Sequence, residues 1–176
     1  GRTVIIVGLG AVGREVGRVC KALNMRVTGV GRSRRSRESL SVPLDEFVLV
    51  SDLRKVLPHA EHLVLAAPHT VETENLIGAK ELALMPRGAI LINIGRGQLV
   101  DEPALVTALT SGHLGGAGLD VFVEEPLPKN SPFWDMPNVL VSPHSGSTSD
   151  QENQRITDLF CENLTRFLYV VPDSNV

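Results

Sequence analysis

The sequence predicts a doubly wound α/β fold built on a parallel sheet, and three observations predict it. Short β-branched runs alternate with stretches of helical period, a glycine-rich turn follows the first run, and polar residues follow the later ones. Sheets of this kind take ligands outside the carboxyl ends of their strands, so the chemistry should gather there.

Taken in order, strands are predicted at 3–7, 26–30, 62–66, 89–94, 115–120 and 139–141, each a short apolar run bounded by turn residues. Between the first two, Val12, Val16, Val19, Cys20 and Leu23 recur at spacings of three and four, which predicts a helix covering the sheet with that face. Asp101 ahead of Pro103 caps a helix carrying Leu105, Val106 and Leu109, and Gly112 is placed to end it. Ser149 with Glu152 opens the last helix, whose Ile156, Leu159, Phe160, Leu164, Phe167 and Leu168 share one face that needs burial. Two stretches read as loops: 32–41, rich in Arg and Ser, and 124–137, with four prolines.

At 176 residues the expectation is one domain with a sizeable core. A net charge of −3 leaves no basic excess to neutralise a phosphate backbone, so no nucleic-acid partner is expected. Two cysteines, Cys20 and Cys161, cannot build a disulfide framework and fit a reducing, cytoplasmic compartment. The apolar runs are strand-length and no basic-then-apolar leader opens the sequence, so no membrane or secretory role is expected. Gly1 need not be the natural first residue, and an upstream targeting segment stays open.

Gly8-Leu9-Gly10-Ala11-Val12-Gly13 stands between the first strand and the first helix, the setting in which such a motif binds a dinucleotide. Gly8 permits the turn, Gly10 lets the backbone approach a pyrophosphate, and Gly13 lets the helix pack closely, while the helix start offers unpaired N–H groups. The Rossmann-type reading is weighed against a glycine-rich turn with no ligand, and the flanking strand and helix favour it. A carboxylate about 20 residues onward would hold the ribose hydroxyls of NAD. Here Gly31-Arg32-Ser33-Arg34-Arg35 stands instead. Guanidinium groups and a hydroxyl suit the 2′-phosphate of NADP, so NADP is the expected cofactor, with NAD possible if the arginines form only a solvated loop. Arg32 is the first choice for the phosphate contact, with Ser33 and Arg34 beside it.

Three segments end later strands: Asn93-Ile94-Gly95-Arg96-Gly97, Leu119-Asp120 continuing to Glu124-Glu125-Pro126, and Ser142-Pro143-His144-Ser145-Gly146. Singly, each reads as a turn brace, loop surface or a structural histidine. Together, an Arg, an acid and a His at one sheet edge can bind an anion and pass a proton. No metal is expected.

These segments, the glycine loop, Pro68-His69-Thr70-Val71-Glu72-Thr73 and Pro132-Phe133-Trp134 occur in the order seen in the cofactor domain of the D-isomer-specific 2-hydroxyacid dehydrogenases, and the resemblance covers nearly the whole chain. It implies that Arg96 holds the carboxylate and oxo group of a 2-oxo acid, that His144 supplies the proton, and that Glu125 pairs with His144 and favours its imidazolium form. It also implies that Gly8, Gly10, Ala11, Val12, Gly13, Pro68, Ile94, Asp120, His144 and Gly146 line the cofactor. The basic loop points to the NADPH-preferring glyoxylate and hydroxypyruvate reductase branch. NAD-linked enzymes such as phosphoglycerate dehydrogenase, formate dehydrogenases, which carry Gln where Glu125 stands, and nucleotide-sensing corepressors are the alternatives. The resemblance makes residues 1–176 a dinucleotide-binding domain without its substrate lobe, which would leave this chain poorly active by itself, and it implies a homodimer built on the first or last helix.

Overall fold

The computed structural model describes residues 1–33, 44–146 and 149–169. The chain divides into two compact units, Gly1–His144 and Ser145–Val176. Among the described residues the first unit holds a seven-stranded sheet: β1 (Thr3–Val7), β2 (Arg26–Gly31), β3 (Glu46–Leu49), β4 (His62–Leu65), β5 (Ile90–Asn93), β6 (Gly116–Leu119) and β7 (Val139–Val141). Every pairing is parallel, in the order β3-β2-β1-β4-β5-β6-β7. The six expected strands are present. The seventh, β3, was not expected, because four residues that begin with Glu46 and leave Phe47, Val48 and Leu49 only half-buried give little alternating signal.

Parallel strands are covered on both faces, which is why these runs are nearly all apolar. The period of two sends Ile5, Leu63, Leu65 and Leu91 into the larger core with Leu57, Ile77, Leu82, Leu99 and Leu105. Val4, Ile6, Val27 and Val64 turn to the other face, where Val16 and Cys20 of α1 (Ala11–Ala22) pack on them.

The face predicted for α1 is corrected by the structure. Gly13 and Gly17 are its buried residues, with Val16 and Cys20 beside them, while Val12, Val19 and Leu23 are exposed. Two glycines one turn apart bring the helix backbone against the sheet, and the valines counted by periodicity fall to one side of that contact.

On the larger core lie the single-turn α2 (Leu53–Val56), α3 (Ala79–Leu84) and α4 (Glu102–Thr110). The Asp101 side chain accepts from the Ala104 N–H at 3.0 Å, Pro103 sits in the first turn, and Gly112 takes φ 67 beyond the end, as the sequence predicts for α4. In the second unit the Glu152 N–H donates to the Ser149 carbonyl at 3.2 Å, and α5 (Glu152–Tyr169) carries the predicted apolar residues along an amphipathic helix. Among the described residues no helix is long and apolar enough to cross a membrane.

What positions the site is the register. Val7 pairs with Leu65, Leu65 with Asn93, Asn93 with Leu119, and Leu119 with Val141, so five strands end in line. The residues that follow share one edge, and the strand order reverses between β1 and β4, the point where such sheets open a crevice.

Candidate active site

The crevice begins at the glycine loop. Gly8, at φ 92, donates its N–H to the Val30 carbonyl at 3.0 Å, and Gly10 caps α1 with nothing within 4 Å of where a Cβ would stand. The backbone there can be approached closely, and the first turn of α1, with Ala11 and Val12 exposed, presents its N–H groups. Gly8, Gly10, Arg32, Pro68, Thr70 and Thr73 are among the residues lining a cavity of about 310 Å³. Thr73 shapes its wall: its hydroxyl donates to the Pro68 carbonyl and accepts from the Thr70 N–H, both at 2.8 Å.

Arg32 follows β2, exposed, with Ser33 after it. The Thr70 hydroxyl bond at 2.7 Å, then a backbone N–H and more weakly the charge of Arg32, hold Glu72 below the ordinary carboxylate range. A guanidinium and a carboxylate thus stand near one another at this rim. Arg34 and Arg35, read as phosphate ligands or loop, lie outside the described residues.

Farther along the edge, Asn93 ends β5 and closes the turn that presents Arg96. Its amide donates to the Arg96 carbonyl at 2.8 Å and its Oδ1 accepts from the Gly95 N–H at 3.1 Å. Arg96 is exposed and its Nη1 donates to the Gly95 carbonyl at 2.6 Å, leaving further guanidinium N–H groups for an anion. Gly97 is pressed on the next loop, where a Cβ would lie 1.9 Å from the Phe122 carbonyl carbon. No side chain fits there.

That loop carries the acid. Glu125 accepts from the Phe122 N–H at 2.9 Å through Oε1 and faces His144 Nδ1 at 2.6 Å through Oε2. Partial burial pushes the Glu125 carboxyl up, but the bonds to His144 and Phe122 and the charges of His144 and Arg96 outweigh it and hold the group low. Glu125 is therefore a carboxylate at neutral pH, and the Arg96 charge reaches it. His144 sits at φ 53, the left-handed region a β-carbon disfavours, directly after Pro143. With Nδ1 committed to Glu125, Nε2 is the nitrogen left to exchange a proton.

Asp120, 9% exposed, accepts from the Ser142 hydroxyl at 2.6 Å, which ties the β6 exit to the strand that leads to His144. The edge thus brings together Gly8, Gly10, Arg32, Pro68, Asp120 and the Arg96, Glu125 and His144 group. Ile94 is half-buried and packs in the smaller core, so only its backbone belongs to the edge. Gly13 is buried behind the loop, and Gly146 belongs to the second unit. The sequence names Asn93 and Ser142 within the site segments but gives them no role, and it does not point to Glu102, whose carboxylate accepts from the Val123 N–H at 2.8 Å. The one available signal was a polar Asn ending an apolar strand.

A family model described as "D-isomer specific 2-hydroxyacid dehydrogenase, NAD binding domain" matches residues 1–146. A glyoxylate reductase of Korarchaeum cryptofilum is 40% identical over 169 residues, 95% of this chain and 49% of that protein. Glyoxylate/hydroxypyruvate reductase B of Pectobacterium carotovorum is 49% identical over 113 residues, 64% of this chain and 35% of that protein. A D-isomer specific 2-hydroxyacid dehydrogenase from Xanthobacter autotrophicus, solved with NADPH and MES, superposes with a TM-score of 0.84 at 36% identity over 97% of this chain and 68% of the other. An NADPH-dependent glyoxylate/hydroxypyruvate reductase from Sinorhizobium meliloti, solved with NADP and sulfate, gives 0.83 at 33% identity over 97% and 54%. The chain spans about half the length of the curated relatives it matches.

Proposed function

The chain belongs to the D-isomer specific 2-hydroxyacid dehydrogenase family, as its NAD binding domain, and from that premise we propose that it is the dinucleotide half of a glyoxylate/hydroxypyruvate reductase-like enzyme that converts a small 2-oxo acid to its D-2-hydroxy acid. Residues 1–176 form the cofactor domain on this reading, and the substrate lobe comes from sequence outside them. The observation that carries it is the 2.6 Å Glu125–His144 pair within reach of the Arg96 charge, at the edge where the glycine loop also lies.

NADPH, when bound, supplies the hydride. The open approach at Gly10 and the cavity beneath Arg32 fit a dinucleotide, with Arg32 on the 2′-phosphate and no carboxylate at the end of β2 to bind ribose hydroxyls. Arg96 holds the substrate carboxylate and oxo oxygen by paired N–H groups. As the carbonyl carbon accepts the hydride, His144 Nε2 gives its proton to the oxygen, and Glu125 keeps the ring oriented and balances its charge. Asp120, beside the strand exits, would hold the nicotinamide end of the cofactor. The protein works as a cytoplasmic homodimer, with Val12, Val19 and Leu23 on the shared surface.

The test uses the full-length protein. NADPH oxidation by glyoxylate and hydroxypyruvate is measured against NADH, for wild type and Arg32→Ala. NADPH should be preferred in kcat/KM, and the variant should lose about tenfold or more of that preference, the scale of a charge-assisted phosphate contact. Equal use of NADH would turn the reading to an NAD-linked dehydrogenase, and nucleotide binding without turnover to a sensing protein.

A further inference from the structure

Asn93 is 1% exposed at the end of a strand whose other residues are apolar. A buried amide is retained only where both its ends are bonded, and here both are spent on one turn, the donor on the Arg96 carbonyl and the acceptor on the Gly95 N–H. Its backbone carbonyl accepts from the Asp120 N–H at 3.0 Å, so the same residue is fixed to the neighbouring strand exit. The turn has no slack on either side: a Cβ at Gly95 would lie 2.6 Å from the Ala67 carbonyl oxygen, and Gly97 abuts Phe122. The orientation of the peptides at 95 and 96 therefore decides where the Arg96 side chain starts, and Asn93 sets that orientation. Aspartate lacks the donor, alanine lacks both groups, and glutamine is too long for the same closure.

We propose that Asn93 is a positioning residue that acts through Arg96, holding the anion-binding guanidinium in register from inside the fold. The proposal rests on the reductase reading, in which Arg96 takes the carboxylate of the 2-oxo acid.

The experiment is a double-mutant cycle in the full-length protein, with glyoxylate or hydroxypyruvate as substrate and NADPH binding followed by nicotinamide fluorescence. Asn93→Ala and Asn93→Asp should raise KM for the 2-oxo acid about tenfold to a hundredfold, change kcat little, and leave NADPH affinity within about twofold. Adding Asn93→Ala to Arg96→Ala should cost no more than Arg96→Ala does alone, because the two act at one point. An unchanged KM, or losses that multiply in the double variant, overturns the proposal. If Asn93→Ala does not bind NADPH, Asn93→Asp, which keeps the shape and the acceptor, decides; failure of both to bind makes the residue structural and overturns it. Arg96→Ala by itself tests the underlying reading: full kcat/KM in that variant removes the anion role of Arg96, whatever Asn93 does.

Discussion

Glu125 is pulled in two directions: burial favours its neutral form, and two hydrogen bonds with two nearby positive charges favour its ionised form, which wins. A carboxyl whose folded-state pKa lies below its unfolded one stabilises the fold at every pH above the unfolded value, and that contribution is lost as pH falls through the lowered folded value. The expected outcome is that Glu125→Gln loses stability at neutral pH and flattens the acid limb of a melting-temperature profile below about pH 4.3. The same variant should lower kcat with less effect on KM, since the amide cannot balance an imidazolium; an unchanged acid limb would show that the pair does not persist in solution. His144 adds a cost of its own, for a left-handed backbone at a non-glycine residue stores on the order of 1–3 kcal/mol. Residue types and their order were legible here. The fixing bonds were not: the partners of Asp120 and Val123 come from other strands and turns, where no spacing in one chain reveals a hydrogen bond, and the local Asn93 closure beneath Arg96 reads in sequence only as a polar strand end.

Among the elements, α1 shows where periodicity misleads. A count of apolar residues finds Val12, Val16, Val19, Cys20 and Leu23, but closeness of approach is decided by size, and Gly13 with Gly17 turns the helix so that Val12, Val19 and Leu23 are left outside. Val19 is 43% exposed. If α1 is the homodimer surface, Val19→Asp in the full-length protein should shift the mass seen by light scattering toward the monomer while the melting temperature of the monomer changes little. A dimer of unchanged strength would move the interface elsewhere. β3 escaped prediction for a related reason: at the edge of the sheet its residues are half-buried, so neither a continuous apolar run nor a clean alternation marks it. By contrast α4 was readable residue by residue, since Asp101, Pro103 and Gly112 act through local backbone geometry alone.

At the level of the whole molecule, the parallel sheet was legible because each central strand is buried on both faces and must be apolar throughout. Leu63, fully buried between β1 and β5, tests that core: Leu63→Ala should cost about 2–5 kcal/mol in urea denaturation, from lost transfer energy and the cavity left behind. A loss below about 1 kcal/mol would mean that the site collapses to fill the space. Register is what the sequence concealed, and register lines up the exits of β1, β4, β5, β6 and β7 into a working edge. Two consecutive residues on that edge touch both parts of the candidate site. At Phe122–Val123, one N–H goes to Glu125, the next to Glu102 at the start of α4, and the carbonyl lies against Gly97, neighbour of Arg96. On the proposed roles, the spacing between Arg96 and the Glu125–His144 pair is thus a gauge cut into one piece of backbone. A ligand that reaches both groups has to fit a span that this one unit already sets.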